Sequence, residues 1–84
     1  MPARRIELTR SAQKELMRLP GPVRRRIAEA LDALAKGDVA DVKKLKGTRA
    51  TWRLRVGDYR GIFERNGDTC VFTRFAHRSH VYDV

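Results

Sequence analysis

The chain has 84 residues and carries far more positive than negative charge, which limits both its architecture and its partners. A chain this short forms one domain, residues 1–84, and buries only somewhat over ~60% of its extended surface, which leaves little room for a deep cavity. Lysine and arginine total 19 against 10 acidic residues, a formal net charge of +9. This balance favours a nucleic acid or an acidic protein as partner.

The positive charge is uneven along the chain and comes mostly from arginine. Residues 42–84 hold ten cations and four acids, whereas residues 1–41 hold nine and six. Fourteen of the cations are arginine and five are lysine. Because the guanidinium fork matches phosphate and carboxylate oxygens, this bias favours specific anion contacts over diffuse solubilising charge.

Neither cysteine content nor hydropathy suggests secretion or membrane insertion. The one cysteine, Cys70, stands among strand-forming residues and is expected to be a buried, reduced thiol. The first residues lack the apolar core of a signal peptide, and no window approaches ~18 consecutive apolar residues. We therefore expect a cytoplasmic protein that does not contact a membrane.

The first half of the chain predicts one strand and two helices. Alternation over residues 5–8 indicates a strand, after which Thr9 can cap a helix whose apolar face holds Ala12, Leu16 and Leu19. Pro22 suits the first turn of a second helix, and Gly37 suits its end. The apolar stripe of that helix contains Val23, Ile27, Ala30, Leu31 and Leu34. Two helices so close in sequence predict an antiparallel hairpin.

The second half predicts three strands after a polar connection over residues 38–47. The strands cover about 50–56, 59–65 and 69–76, and the turns between them contain Gly57-Asp58 and Asn66-Gly67. The order is therefore β-α-α-β-β-β. Consecutive hairpins predict an α+β fold in which a helical hairpin packs on one face of a small, mostly antiparallel sheet.

The first of these hairpins is expected to bring two arginines together. With Gly57-Asp58 as a two-residue turn, Val56 pairs with Tyr59 and Arg55 lies directly opposite Arg60. Like charges directly opposite each other destabilise a sheet. A fold that contains this pair is expected to have a compensating anion, for which phosphate is the usual candidate.

The second hairpin has two possible registers, and they place Arg74 differently. A three-residue loop over residues 66–68 sets Arg74 opposite Arg60, whereas a strict two-residue loop points Arg74 into the apolar side, which is costly. We therefore predict the three-residue loop. The basic face would then hold Arg53, Arg55, Arg60, Arg74 and Arg78. The apolar face would hold Trp52, Leu54, Val56, Tyr59, Phe63, Val71 and Phe75.

Three segments carry a more specific pattern: Leu45-Lys46-Gly47, Gly57-Asp58-Tyr59-Arg60 and, near the end, His77-Arg78-x-x-Val81-Tyr82. In this order, and on this arrangement of elements, they resemble the RelE/ParE superfamily of toxin–antitoxin toxins, most of all its RelE branch. The resemblance implies the RelE-like microbial RNase fold and a metal-independent endoribonuclease, without a cofactor, that cleaves mRNA in the ribosomal A site. It also implies an acidic antitoxin and, through the antitoxin complex, indirect contact with operator DNA.

The resemblance also implies roles for individual residues. Arg60 matches an arginine that stabilises the scissile phosphate, Arg78 matches a second catalytic arginine, and Tyr82 matches a tyrosine that orients the 2′-hydroxyl and stacks on the substrate. At Arg53 and Arg55 the best-studied branch of the family has lysines. An arginine can stabilise the phosphorane but is a poor proton acceptor.

RNA cleavage by the 2′-hydroxyl needs an aligned oxygen, charge stabilisation at the phosphate and two proton transfers. Arginines supply the second requirement. For the proton transfers the sequence offers His77, His80, Tyr82 and Glu64, of which histidine ionises nearest to neutral pH. We hypothesise that His77 or His80 compensates for the missing lysines. The alternative is that arginine suffices because the ribosome supplies the alignment.

Several residues have two interpretations at this level. Residues 24–26, three arginines, are either the solvated face of the second helix or contacts to ribosomal RNA. Trp52 packs in the core or stacks on a base. Arg60 and Arg78 could instead form surface ion pairs with acids such as Asp58. Three lysines of the polar connection either face solvent or contact the RNA backbone together with Arg74. They are Lys43, Lys44 and Lys46. The spacing of His77, His80 and Asp83 could suggest a metal site, but no fourth ligand is evident, so no metal is expected.

Two other functions remain possible for this sequence. One is a ParE-like gyrase inhibitor, against which Arg78, Tyr82 and the short helices argue. The other is a degenerate toxin that acts only as a nucleic-acid-binding or co-repressor module. Binding by charge alone would show a steep loss of affinity with salt and no RNA cleavage.

Overall fold

The computed structural model describes residues 4–38, 41–47 and 50–81. Two helices pack on a five-stranded mixed sheet, which confirms the predicted α+β class. The elements are β1 (Arg5–Leu8), α1 (Arg10–Met17), α2 (Gly21–Ala35), β2 (Val42–Lys44), β3 (Thr51–Val56), β4 (Tyr59–Asn66) and β5 (Thr69–His77). The sheet order is β1-β5-β4-β3-β2, with β1 parallel to β5 and every other pair antiparallel.

The polar connection predicted over residues 38–47 contains a strand that the sequence pattern did not indicate. β2 pairs with β3, with Val42 opposite Leu54 and Lys44 opposite Trp52. Three residues with a single apolar member are too short to show a period, so β2 depends on the neighbouring strand for its formation. The order is therefore β-α-α-β-β-β-β. Exposed lysines on so short an edge strand also discourage pairing with another chain.

The helix boundaries follow the capping signals. Thr9 Oγ1 accepts a hydrogen bond from the Ala12 N–H at 3.1 Å, and α2 has proline in its first turn. Gly37 directly follows Lys36, the residue that caps the C-terminal end of α2. Its φ of 79° is a conformation that glycine adopts at little cost. Leu19 lies beyond the end of α1 but still packs, half-buried, against the core.

The core lies between the helices and one face of the sheet. Three phenylalanine rings are in contact there: the Phe63 and Phe72 centroids are 4.7 Å apart, and those of Phe72 and Phe75 are 5.2 Å apart. Trp52 stacks beside Phe63 at 6.4 Å, as expected for a core residue. The other buried hydrophobic residues of the described chain are Ala12, Ile27, Leu34, Leu54, Cys70 and Val81.

The first hairpin has the predicted register. Val56 pairs with Tyr59, and Arg55 lies directly opposite Arg60. The turn residue Gly57 has a φ of 59°, in the left-handed region that two-residue hairpin turns require. The close pair of like charges is therefore a real feature of this sheet.

The predicted register of the second hairpin is wrong. Asn66 pairs with Thr69, so the loop has two residues, and Arg74 lies opposite Ile62 instead of Arg60. A β-bulge between Ile62 and Phe63 shifts the pairing by one residue, and Thr73 is the extra residue on β5. The bulge removes the cost that had argued against the short loop, because it returns Arg74 to the side away from the core.

The bulge also changes which residues of β5 face the core. Phe72, not Val71, takes the core position opposite Phe63. The basic face nevertheless forms on the other side of the sheet. Arg53 and Arg74 both lie opposite Ile62, and Arg55 lies opposite Arg60, so these four arginines share one face. Arg78 follows the end of β5 instead of continuing it.

Gly61 provides a test of this packing. A Cβ atom at position 61 would lie 2.8 Å from Phe75 Cε1 and 2.9 Å from Phe72 Cε2, where no real Cβ fits. We expect Gly61→Ala to reduce the free energy of unfolding by about 1–3 kcal/mol because the rings must move. Urea denaturation measures this change. Gly21→Ala is the matched control, since its nearest neighbour is Arg24 Nη2 at 3.8 Å; equal losses in both variants would contradict the packing described.

Cys70 provides a second test. Its side chain is fully buried, and burial raises the pKa of the thiol, so at a given pH less of the reactive thiolate forms than in the unfolded chain. We expect alkylation of the folded protein at pH 8 to be much slower than alkylation in concentrated urea, as followed by mass spectrometry. Similar rates in the two conditions would show that the β1–β5 region opens readily.

Candidate functional site

Four of the predicted site residues line one open depression at the end of the sheet. Its volume is about 550 Å³, and it is lined by Arg53, Arg60, His77, Arg78 and Ser79. β3 supplies the first of these residues, β4 the second, and the end of β5 with the following turn the other three. The fold thus brings together residues that lie up to 26 positions apart in the sequence. Tyr82, also predicted for this site, lies outside the described residues, as does Asp83.

Arg60 is held by the hairpin turn that precedes it. Its Nη1 donates hydrogen bonds of 2.9 Å to the carbonyl oxygens of Gly57 and Tyr59. Both bonds use Nη1, so the other N–H groups of the guanidinium are not needed for them. The turn therefore fixes the position of the charge without a carboxylate.

Arg78 is attached to the same turn. Its backbone N–H donates to the Asp58 carbonyl at 2.7 Å, and its side-chain Nε lies 3.9 Å from Asp58 Oδ1. The surface ion pair considered above as an alternative role is thus present. Because the Arg78 side chain is 65% exposed, such a pair contributes roughly 0–1 kcal/mol, so a phosphate could displace it readily.

Arg53 and Arg55 share a carboxylate that the sequence interpretation missed. Asp41 Oδ1 accepts from Arg53 Nη1 at 3.2 Å, and Asp41 Oδ2 lies 3.7 Å from Arg55 Nε. The compensating anion inferred from the paired arginines is therefore partly supplied by the protein. Asp41 is the sole acid of residues 39–47, the one signal that could have identified it. Arg55 carries a predicted role but does not line the depression.

His77 is oriented by Ser79. The Ser79 N–H donates to His77 Nδ1 at 3.2 Å, and Ser79 Oγ lies 2.8 Å from the same nitrogen. Because Nδ1 accepts from the backbone, the neutral ring carries its proton on Nε2. Tyr59 contacts the ring edge-to-face, with centroids 5.4 Å apart. Nε2 is therefore the ring nitrogen left for a substrate.

His80 and Glu64 are placed less favourably for proton transfer. His80 is exposed, and its ring centroid is 6.4 Å from that of His77, but it does not line the depression. Glu64 lies four residues beyond Arg60 on β4 and is likewise absent from the lining. Of the two candidate histidines, the structure therefore favours His77.

The residues predicted to bind RNA do not form one cluster. Arg74 reaches Glu15 on α1, with its Nε 3.7 Å from Oε2, while Glu15 Oε1 accepts from the Phe75 N–H at 3.0 Å. Lys43 lies opposite Arg53 and so extends the basic face, whereas Lys44 lies opposite Trp52 on the helix side. Lys46 is exposed in the turn after β2.

The three arginines of α2 do not form one solvated face. Arg24 is half-buried, and its Nη1 donates to the carbonyls of Met17 and Leu19 at 3.2 and 2.9 Å, which satisfies acceptors at the end of α1 and just beyond it. The exposed Arg26 places its guanidinium against Gly57, where a Cβ would lie 3.2 Å from Nη1. Arg25 is exposed, as the solvated interpretation predicts.

A second open depression, of about 590 Å³, lies on α1 and is lined by Arg10, Gln13, Lys14, Met17 and Arg18. Its lining contains no histidine, cysteine or acidic residue. Across residues 4–38, 41–47 and 50–81, no group of three or more histidine, cysteine or acidic residues is arranged to hold a metal ion. Over the same part of the chain, neither helix has the length and hydropathy to cross a membrane.

Comparison with known proteins gives a consistent assignment. The model of the family described as ParE toxin of type II toxin–antitoxin system, parDE, matches residues 6–82. Toxin RelE3 of Methanocaldococcus jannaschii is 41% identical over 75 residues, covering 83% of this chain and 85% of the relative.

Solved structures extend the likeness to the whole fold. The RelB–RelE antitoxin–toxin complex from Methanococcus jannaschii contains a chain with a TM-score of 0.79 and 34% identity, covering 92% of this chain and 95% of that one. The archaeal RelE–RelB complex from Pyrococcus horikoshii gives a TM-score of 0.75 at 28% identity, covering 95% and 100%. Together with the residues brought to the depression, these matches show that the chain belongs to the RelE-like branch of the RelE/ParE superfamily of type II toxin–antitoxin toxins.

Proposed function

We propose that this chain is a ribosome-dependent endoribonuclease that cleaves mRNA in the A site by attack of the RNA 2′-hydroxyl on the adjacent phosphate. The observation that carries the proposal is the depression that joins Arg53, Arg60, Arg78 and His77. Three guanidinium groups and one imidazole at a single open surface are the groups that phosphodiester cleavage without a metal requires. An open site also fits a single-stranded substrate held by a much larger particle.

The arginines would stabilise the charge that develops on the phosphate oxygens. Arg60 is the best preorganised of them, because two carbonyl hydrogen bonds fix its guanidinium before substrate arrives. Arg78 is tied to the same turn through its backbone, while its side chain is exposed and able to exchange Asp58 for a phosphate. One arginine would thus be fixed, and the other would close on the substrate.

His77 would supply the proton that the leaving 5′-oxygen needs, while the proton of the attacking 2′-hydroxyl would pass to solvent water. As an imidazolium it can donate from Nε2 to the leaving 5′-oxygen, and in this form Nδ1–H can donate to Ser79 Oγ, which lies 2.8 Å away. Protonation of Nδ1 would therefore exchange the bond from the Ser79 N–H for a bond to Ser79 Oγ. Tyr82 keeps the role that the family implies, orientation of the 2′-hydroxyl and stacking on the substrate, as part of this proposal.

An antitoxin is the proposed protein partner. Both archaeal relatives above are described as complexes of a RelE toxin with RelB. A chain of net charge +9 would pair best with an acidic antitoxin, and through it would contact operator DNA indirectly. Action on ribosomes places the protein in the cytoplasm.

One observation favours a second function. The matching family model carries the name ParE, and the notable departure from the RelE branch is arginine at positions 53 and 55. A ParE-like gyrase inhibitor would leave mRNA intact and arrest supercoiling. A degenerate toxin would do neither, and would bind nucleic acid with a steep dependence on salt.

The first test is translation in vitro with purified protein, with mRNA ends mapped by primer extension in the presence and absence of ribosomes. We expect ribosome-dependent cuts in phase with codons, and we expect Arg78→Ala to slow them by about 10²–10³-fold, the usual effect of losing one transition-state donor. Arg5→Ala removes an equal charge from an exposed position on β1 and is the control. Intact mRNA with inhibited supercoiling would favour the gyrase function instead.

The second test concerns His77. We expect His77→Gln to slow cleavage by about 10²-fold or more and to flatten the pH–rate profile, because the group that moves the proton is lost. His80→Gln, outside the depression, should keep the wild-type profile. If both variants retain the wild-type rate and profile, histidine does not replace the missing lysines, and the ribosome must supply the alignment.

A further inference from the structure

Asp41 occupies a position between two arginines of the basic face. Its Oδ1 accepts from Arg53 Nη1 at 3.2 Å, and its Oδ2 lies 3.7 Å from Arg55 Nε. The two arginines are two residues apart on β3, with their side chains on the same face, and Arg55 lies opposite Arg60. A single carboxylate thus stands where three positive charges crowd together.

The backbone fixes this carboxylate in place. The Arg55 N–H donates to the Asp41 carbonyl oxygen at 2.9 Å, and the next residue, Val42, pairs with Leu54. Asp41 is therefore anchored to β3 by the start of β2, the short strand that the sequence pattern did not indicate. The position of the carboxylate depends on sheet pairing and does not require the ion pair itself.

The contacts constrain the guanidinium groups without consuming them. Each guanidinium has five N–H donors, and the contacts with Asp41 involve one nitrogen of Arg53 and one of Arg55. The Arg53 side chain is only 18% exposed and lines the depression, so a small rotation of its guanidinium would change which N–H groups face a substrate. Because Asp41 is 52% exposed, the pair contributes little to stability.

We propose that Asp41 is a positioning residue that orients Arg53 and Arg55 so that their remaining N–H groups face an RNA phosphate. This inference rests on the proposed function and assigns a role to a carboxylate outside the predicted site. It predicts that removal of the carboxylate has opposite effects on RNA binding and on turnover. Loss of the negative charge should strengthen binding of RNA, while loss of the orientation should slow the chemical step.

The experiment compares the wild type with Asp41→Asn, Asp41→Glu and the control Asp68→Asn, an exposed acid at the β4–β5 turn. Binding of a short single-stranded RNA is measured by fluorescence anisotropy, and turnover by the ribosome assay at saturating mRNA. We expect Asp41→Asn to bind RNA at least as tightly as the wild type but to turn over about tenfold more slowly. Asp41→Glu should recover most of the turnover, and Asp68→Asn should match the wild type.

Two outcomes would overturn the inference. If Asp41→Asn cleaves as fast as the wild type or faster, Asp41 is only a charge that competes with phosphate. If Asp68→Asn loses as much turnover as Asp41→Asn, the loss reflects net charge and not position.

A wild type that makes no cuts would refute the proposed function, and NMR of the arginine side chains then decides the role of Asp41. Orientation by Asp41 predicts that the guanidinium N–H signals of Arg53, whose Nη1 donates to Asp41 Oδ1 at 3.2 Å, are protected from solvent exchange in the wild type and lose this protection in Asp41→Asn. Equal exchange in the two proteins would overturn the inference independently of catalysis.

Discussion

The β-bulge on β5 is the constraint on which both faces of the sheet depend. Phe72 and Phe75 are three residues apart and both fully buried, which a regular strand with a period of two does not allow. The extra residue, Thr73, lets both rings enter the core and stack at 5.2 Å. It also returns Arg74 to the opposite face, so that an apolar core and a basic surface can share one strand.

The crowded arginines are tolerated because the protein provides a carboxylate partner for most of them. Asp41 contacts Arg53 and Arg55, Asp58 lies near Arg78, and Glu15 lies near Arg74. These pairs are partly exposed, so each contributes little to stability. Weak pairs suit the proposed function, in which this surface exchanges its own carboxylates for phosphate, since a strongly held carboxylate would be costly to displace at each binding event.

Sequence patterns predicted the elements with strong local signals and failed where tertiary contacts decide. Thr9, Gly37 and the Gly57-Asp58 turn act locally, and each behaves as predicted. β2 is too short to show a period and forms through its neighbour. The bulge was not predicted because both candidate loops assume regular pairing of β4 with β5. Burial of Phe72 makes irregular pairing the more stable arrangement.

The sequence also predicted only part of the candidate site, and tertiary contacts again determine the rest. Motifs identified Arg60, His77 and Arg78, the strand register identified Arg53, and the fold brings these four residues together. Asp41 and Ser79 were not predicted because their roles arise from contacts. Asp41 directly precedes a strand that the sequence pattern did not indicate. Ser79 donates its backbone N–H to the ring of His77. Residues that orient other residues carry no spacing signal of their own.

The arginines at positions 53 and 55 have a clearer meaning in this setting. A lysine in either position could lower its pKa and move a proton, whereas an arginine keeps its charge and offers a rigid, directional fork. A guanidinium forms its paired hydrogen bonds only in the right orientation, and a carboxylate anchored by sheet pairing can set that orientation. Under the proposed function, arginine at these two positions leaves protonation of the leaving oxygen to His77 and depends on Asp41 for its orientation, so the two arginines and their two supporting residues form one coupled arrangement.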